Sequence, residues 1–358
     1  MKAEILEALE DLAREKGIAK EVLFDALEAA LISAYRRNFG SAQNVRVHID
    51  PKTGDYKVYA QKEIVEVVED QRLHATLAEA RAKNPALVLG DILEVEVTPR
   101  DFGRIAAQTA KQVVVQRIRE AERGIIFEEY SSREGDIVTG LVMRQDPKTK
   151  AVYVELAKNV EGIIVANEQI PGERFTDNQR LKAYVIEVKR TTKGPAISLS
   201  RTHPGLLKRL FELEVPEIHD GVVEIKGISR EAGARSKIAV YSRDENVDPV
   251  GACVGAKGLR VQNIVNELQG EKIDIVEWSQ DPSVFVSKAL SPAKVVSADC
   301  DEAARIARVV VPDYQLSLAI GKEGQNARLA AKLTGWKIDI KSEAQANAAL
   351  EPGAQSEA

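Results

Sequence analysis

Residues 253–258 read Cys-Val-Gly-Ala-Lys-Gly, and residues 319–324 read Ala-Ile-Gly-Lys-Glu-Gly. Each segment is followed by a helical pattern and then by Lys-Ile-Asp-Ile, at residues 272–275 and 337–340. The first glycines of the two segments lie 66 residues apart, and the two Ile-Asp-Ile runs lie 65 apart. A single G-x-x-G carries little information in a chain with 23 glycines, but two copies inside the same flanking pattern predict one fold that occurs twice.

The repeated pattern resembles that of a KH domain, whose GXXG loop clamps the backbone of about four nucleotides. Glycines let a nucleic-acid backbone approach the main chain, and the helix that follows presents unpaired N–H groups to a phosphate. The predicted RNA-binding residues are Gly255, Ala256, Lys257, Gly258 and Arg260 in the first copy, and Gly321, Lys322, Glu323, Gly324, Gln325, Asn326 and Arg328 in the second. The carboxylate of Glu323 predicts a weaker phosphate contact in the second loop.

Both copies place two strands before the loop helix and one after it, which is the order of the prokaryotic-type KH fold. We expect two KH domains at residues 203–279 and 280–345, and the join between them is too short for independent motion. The short join predicts that the two KH domains pack against each other and share a continuous RNA groove. The expected flanking elements are helices at 206–213 and 284–290 and strands at 222–228, 237–241, 294–297 and 305–311. Residues 346–358 are rich in Ala, Gln, Glu and Ser, which predicts a disordered tail.

Five short strand patterns precede the KH pair, within residues 131–202. They lie at residues 135–140, 151–156, 161–165, 181–189 and 196–200. Five strands separated by turn signals in so few residues predict a small closed barrel. The sequence of this segment resembles the OB-type barrel named after ribosomal protein S-one. Tyr153 is the predicted stacking aromatic, and the predicted phosphate partners include Arg144, Lys189, Arg190 and Lys193. The alternative is that Tyr153 is ordinary sheet packing and the cations are a solvated rim.

The first 124 residues predict an α+β domain that ends in a long linker helix. The expected helices lie at 5–12, from 20 onward, at 74–83 and at 102–123, and the expected strands lie at 45–49, 56–60, 63–68 and 92–97. The last of these helices would extend for about 33 Å, which suits a rigid strut. Taken together, the sequence predicts a multidomain α+β chain.

Charge differs along the chain more than the net value of −5 suggests. Residues 1–130 hold 19 basic and 23 acidic side chains, whereas residues 131–202 hold 12 and 9. An acidic first third argues against RNA and favours a basic protein partner. No apolar run approaches the 18 residues of a membrane span, and there is no signal-peptide pattern, so we expect a cytoplasmic protein. Two cysteines and four histidines indicate neither a disulfide scaffold nor a metal site.

Long stretches of the chain resemble the NusA family of bacterial transcription factors. They lie at residues 101–108, 199–206, 246–255 and 316–328. The resemblance implies an N-terminal domain that binds core RNA polymerase near the RNA exit channel. It also implies a barrel and two KH domains that bind nascent single-stranded RNA. Members of the family modulate pausing, termination and antitermination together with other Nus-type factors, and we expect a monomer without a cofactor.

No catalytic constellation is present in the sequence, which predicts a non-enzymatic protein. The Asp-Phe-Gly at residues 101–103 lacks the glycine-rich and catalytic loops of a kinase, and no G-x-x-x-x-G-K-[ST] occurs. Two alternatives stay open. An exoribonuclease of the polynucleotide phosphorylase type would phosphorolyse RNA, but residues 1–130 are far too short for its catalytic core. A ribosome-associated protein or RNA chaperone would co-sediment with ribosomes and would not bind core polymerase.

Overall fold

The computed structural model describes residues 13–14, 20–39 and 44–350, and it divides the chain into two compact units, Met1–Ile126 and Phe127–Ala358. The predicted helix at 5–12 lies outside the described residues. The elements that contribute to the first unit are α1 (Lys20–Phe39), β1 (Asn44–Ile49), β2 (Tyr56–Val65), β3 (His74–Thr76), α2 (Leu77–Lys83), β4 (Ile92–Glu96) and the beginning of α3 (Phe102–Ser131).

The first unit is an α+β domain built around strand β2. β2 pairs with β1 and β4 in antiparallel fashion and with β3 in parallel. Helix α1 covers the sheet with Leu23, Leu27, Leu31 and Tyr35, which recur every four residues and are all buried. Phe102 is fully buried beneath them, and its ring meets that of Tyr35 edge-on at 5.8 Å.

Three predicted boundaries in this unit are wrong. The two strands expected at 56–60 and 63–68 form one strand, because the residues between them continue the pairing with β4. The helix expected at 74–83 begins only at Leu77, since Thr76 and Glu79 form a capping box that fixes its start. Helix α3 does not end at 123 but continues to Ser131, and its 30 residues extend for about 45 Å.

The second unit begins with the predicted five-stranded closed barrel, in the order β5-β6-β7-β9-β8. Its strands are β5 (Ile137–Gln145), β6 (Val152–Ala157), β7 (Val160–Ile164), β8 (Arg180–Thr191) and β9 (Gly194–Ser200). Alternate residues of each strand point inward, and aliphatic side chains such as Val142, Val154 and Val185 fill the interior.

Two KH modules follow the barrel, and both have the predicted prokaryotic-type order. The first holds α4 (Pro204–Glu214), α5 (Pro216–His219), β10 (Val223–Glu231), β11 (Arg235–Ser242), α6 (Pro249–Val254), α7 (Leu259–Glu267) and β12 (Lys272–Glu277). The second holds α8 (Pro282–Ala289), β13 (Ser297–Asp301), β14 (Ile306–Val311), α9 (Leu316–Ile320), α10 (Gln325–Thr334), β15 (Lys337–Ser342) and α11 (Glu343–Leu350). In each module the first two strands pair antiparallel and the last two pair parallel.

Two predictions for the second module are wrong. The strand expected at 294–297 lies at Ser297–Asp301, because the preceding residues turn inward and bury Ala293 in the core. Of the tail expected to be disordered over 346–358, the part up to Leu350 is helical as part of α11, and residues 351–358 lie outside the described residues. Ala, Glu and Gln are strong helix formers, so a composition that suggests disorder also favours a helix.

The two KH modules pack against each other, as the short join between them predicts. Ala239 and Val276 of the first module lie in one apolar cluster with Phe285 and Trp336 of the second. The ammonium group of the fully buried Lys237 donates to the carbonyl of Ser291 at 2.7 Å.

None of the helices in the described part of the chain has the length and apolar character of a membrane span.

Candidate nucleic-acid interface

The two GXXG loops have the same backbone conformation. In the first, Gly255, Lys257 and Gly258 have φ values of 72°, 53° and 77°. In the second, the corresponding residues Gly321, Glu323 and Gly324 have φ values of 77°, 54° and 77°. Three residues of each loop therefore occupy the region of positive φ that glycine adopts most readily. A lysine and a glutamate held in this region are the kind of backbone strain that concentrates at binding sites.

Each loop is supported by the residue five positions after its first glycine. A Cβ on Gly255 would lie 2.6 Å from Cγ of Arg260, and a Cβ on Gly321 would lie 2.8 Å from Cβ of Asn326. Both side chains also bind the last carbonyls of the helix before the loop. Arg260 donates to the carbonyl of Ala252 at 2.6 Å, and Asn326 donates to the carbonyl of Ala319 at 3.0 Å.

This support corrects the prediction for Asn326 and limits the one for Arg260. Asn326 is only 4% exposed and its amide also donates to the carbonyl of Leu290 at 3.0 Å, so its side chain holds the loop and is turned away from solvent. Arg260 is half-buried and donates to Glu217 at 2.9 Å as well as to its carbonyl partner. The sequence did not reveal these roles, because the partner carbonyls belong to other elements.

The tips of both loops are open to solvent. Ala256, Lys257, Lys322 and Glu323 are all exposed. Within the described part of the chain, neither lysine ammonium group forms a hydrogen bond or an ion pair. The first loop thus presents one free cation on a backbone turn, whereas the second presents one cation beside one carboxylate. A free lysine at the start of a helix is suited to a phosphate group.

Two further predicted contacts in the second module lie at the start of α10. Gln325 donates to Glu231 of the first module at 2.9 Å, and Arg328 donates to the same carboxylate at 2.7 Å. Both side chains therefore have protein partners across the boundary between the modules. Nothing local in the sequence marks Glu231, since its partners lie more than 90 positions away.

On the barrel, the structure brings Tyr153 and Arg144 together. The ring of Tyr153 is half-buried, and the guanidinium of Arg144 lies 3.8 Å from its centre. Arg144 also lies 3.7 Å from the carboxylate of Glu161. The predicted stacking face is thus covered by a cation, so a nucleobase would have to displace Arg144 or stack on it.

The other predicted barrel cations lie on β8 and in the turn that follows it. Lys189 pairs with Glu187 at 2.7 Å, and the guanidinium of Arg190 lies 4.3 Å from the ring centre of Phe127. Lys193 is exposed in the β8–β9 turn. No described contact joins these three residues to the Arg144–Tyr153 pair.

A buried arginine, Arg201, ties the barrel to the first KH module. Its guanidinium is 1% exposed and pairs with Glu173 of the barrel at 2.6 Å and with Glu267 of α7 at 3.0 Å. It also donates to the carbonyl of Lys182 at 2.7 Å. Because every partner lies in a different segment, sequence spacing could not have assigned this role. The connection fixes the end of the barrel against the helix that follows the first loop.

A small OB-type barrel joined to two KH modules with open GXXG loops defines a class of multi-module single-stranded RNA-binding proteins. Family models match the chain in the same order: an S1 RNA binding domain at residues 131–200, a NusA-like first KH domain at 201–278 and a NusA-like second KH domain at 282–348. Ahead of them, a NusA N-terminal domain matches residues 4–124.

Whole-chain similarity gives the particular family. The transcription termination/antitermination protein NusA of Halalkalibacterium halodurans is 62% identical over 97% of this chain and 90% of its own length. That of Bacillus subtilis is 61% identical over 97% of this chain and 92% of its own. The chain therefore belongs to the NusA family.

Among solved structures, the solution structure of the N-terminal domain of NusA from B. subtilis is 58% identical and matches 34% of this chain and 99% of its own, with a TM-score of 0.32.

Proposed function

We propose that this protein is a non-enzymatic transcription factor that binds nascent single-stranded RNA and takes part in termination and antitermination. The observation that carries the proposal is the pair of GXXG loops, which share one backbone conformation and expose Lys257 and Lys322 beside the helices α7 and α10. The relatives that match almost the whole chain are named transcription termination/antitermination proteins.

RNA is held by several weak contacts in this proposal. The first loop binds phosphate more strongly than the second, because Glu323 offsets the charge of Lys322. The proposed barrel contacts are Tyr153, Arg144, Lys189, Arg190 and Lys193. Tethering several modules on one chain raises the effective concentration of each for the same RNA strand, so no single module needs high affinity. The packed KH pair supports one continuous groove across both modules.

The N-terminal domain is the proposed anchor on bacterial core RNA polymerase. Its segment carries more acidic than basic side chains, which favours a basic protein surface over RNA. From this anchor the barrel and KH modules would meet RNA as it leaves the polymerase and would lengthen pauses. We further propose that the protein is a cytoplasmic monomer that works with other Nus-type factors.

The test is the lifetime of a hairpin-dependent pause by bacterial core polymerase, measured without factor, with the full chain, and with the chain carrying Ala256→Asp and Lys257→Asp. The wild-type chain should lengthen the pause and should co-purify with polymerase. The variant should still bind polymerase but should lengthen the pause less. A wild-type chain that neither binds polymerase nor changes the pause would refute the transcription assignment.

A further inference from the structure

The turn of the β10–β11 hairpin of the first KH module is held by a buried ion pair and two further hydrogen bonds. Arg230 donates two hydrogen bonds to Glu271, at 2.9 and 2.8 Å, and both side chains are almost completely buried. Glu271 also accepts from the backbone N–H of Gly233 at 2.9 Å and from the hydroxyl of Ser236 at 2.6 Å. Since one carboxylate binds both sides of the turn, the hairpin end is fixed to β12.

The same hairpin end contacts the barrel side of the molecule. Arg230 donates to the carbonyl of His203 at 2.9 Å, at the point where the barrel passes into α4. Gly233 lies against the barrel loop, and a Cβ at this position would be 2.6 Å from Cγ2 of Ile170. The turn is therefore anchored to the barrel as well as to its own module.

From this fixed turn, Glu231 reaches the second RNA-binding loop. Its two carboxylate oxygens accept from Arg328 Nε at 2.7 Å and from Gln325 Nε2 at 2.9 Å. Both donors lie in the first turn of α10, directly after the loop. Arg328 also donates to the carbonyl of Glu323, inside the loop, at 3.3 Å. The hydrogen bond from Arg328 lowers the pKa of Glu231, which favours the charged carboxylate.

Among the described residues, the start of the helix after the first loop makes no such contact with a neighbouring module; its Arg260 pairs with Glu217 of the same module. The positions that correspond to Gln325 and Arg328 are Leu259, which is 61% exposed, and Gln262, which bonds to Asn266 on its own helix. The two loops share a backbone conformation, yet only the second has its helix start held by the neighbouring module. The difference indicates that the second loop is aligned from outside.

We propose that Glu231 is a positioning residue for the second RNA-binding loop. It fixes the first turn of α10 against the hairpin, and thereby sets the direction of the loop N–H groups and of Lys322 relative to the barrel and the first module. RNA already bound to those parts then meets the second loop in a fixed register. This inference rests on the RNA-binding function proposed above.

The opposite role for Glu231 would be to mask a cation, because it neutralises Arg328. The two roles predict opposite effects of Glu231→Ala in the full chain. Loss of positioning should weaken binding of a single-stranded RNA by about threefold to tenfold, the equivalent of one net hydrogen bond. The slope of log K against log salt should not change. Loss of masking would strengthen binding and steepen that slope by about 0.7, the value for one further phosphate contact.

The test is fluorescence anisotropy with a labelled single-stranded RNA at several salt concentrations. Glu231→Gln keeps an acceptor for Arg328 and should lie between wild type and Glu231→Ala. Glu302→Ala is the matched control, since Glu302 is an exposed acidic residue in the corresponding hairpin turn of the second module. It should bind RNA as the wild type does. Thermal unfolding of each variant verifies that the fold is intact.

A double-mutant cycle separates positioning from a general structural effect. In a Lys322→Ala background, Glu231→Ala should cause little further loss, because the contact that it aligns has been removed. Fully additive losses, or a Glu231→Ala chain that binds as wild type, would overturn the inference. If the wild-type chain itself fails to bind RNA, the proposed function fails, and this result is distinct from the other two.

Discussion

Replacing Asn326 by alanine tests whether this buried side chain holds the second loop. The change removes the donors to the carbonyls of Leu290 and Ala319, both at 3.0 Å. A net intramolecular hydrogen bond contributes about 1 kcal/mol, and a buried acceptor left unpaired costs about 1–3 kcal/mol. The side-chain oxygen of Asn326 has no hydrogen-bond partner among the described residues, so its removal offsets part of the loss. We expect the second KH module to lose about 2–3 kcal/mol of unfolding free energy.

Urea unfolding followed by tryptophan fluorescence can measure this loss selectively. The chain has two tryptophans, and both Trp278 and Trp336 belong to the apolar cluster of the KH pair. With an m value of about 2 kcal/mol per molar urea, the midpoint of the transition should fall by about 1–1.5 M. Lys332→Ala is the control, since Lys332 is exposed on the same helix.

The reasoning would be refuted if Asn326→Ala changed the unfolding free energy by less than about 0.5 kcal/mol, the usual range for a surface substitution. The same would hold if Lys332→Ala caused an equal loss. Either result would mean that the carbonyls before the loop find other donors and that the loop does not depend on Asn326.

Three further predictions concern the joints and the loops. Arg201→Ala should lower the unfolding free energy of the barrel and first KH module by about 3–5 kcal/mol, because it leaves the buried carboxylate of Glu173 without its ion-pair partner. An unchanged midpoint of urea unfolding would contradict this. Burial alone would raise the pKa of Glu271, but its bonds to Arg230, Ser236 and Gly233 together outweigh that effect and lower the pKa. The charged carboxylate should therefore stabilise the fold at pH values above about 4.3, the pKa of a glutamate in the unfolded chain, and this stabilisation should be lost as the pH falls. Glu271→Gln should then flatten the decline of the melting temperature between pH 5 and 3. Gly255→Ala should lower the melting temperature more than Gly258→Ala. Both glycines have positive φ, but only a Cβ at position 255 would clash, with the side chain of Arg260. Equal decreases in melting temperature would show that this clash has no effect.

The local patterns of the sequence predict most of the fold. Glycine spacing, helical periodicity and the Ile-Asp-Ile strands locate both KH modules, and turn residues locate the five barrel strands. One error falls where a local signal was overlooked, and another falls where pairing with a distant strand decides the boundary. Thr76 and Glu79 form a capping box that the sequence displays, yet the predicted helix begins two residues before the box, at residue 74.

The site is only partly predictable, because the sequence shows which residue types are present but not what they contact. Lys257 and Lys322 were predicted at the loop tips, and they are exposed there. Asn326 lies in the same motif and carries the same kind of polar group, but its amide faces inward. Glu231 and Arg201 act through partners far away in the chain, and only the packing of the modules brings those partners together.

The most direct test of RNA binding through the GXXG loops is the equilibrium affinity of the full chain for a single-stranded RNA. The wild type is compared with two double variants. The first carries Ala256→Asp and Lys257→Asp in the first loop, and the second carries Lys322→Asp and Glu323→Asp in the second loop. The first variant should bind at least about tenfold more weakly, a loss of about 1.4 kcal/mol, because it places two carboxylates against phosphate. The second should lose less, since that loop already holds a carboxylate. A well-folded first variant with wild-type affinity would contradict the account.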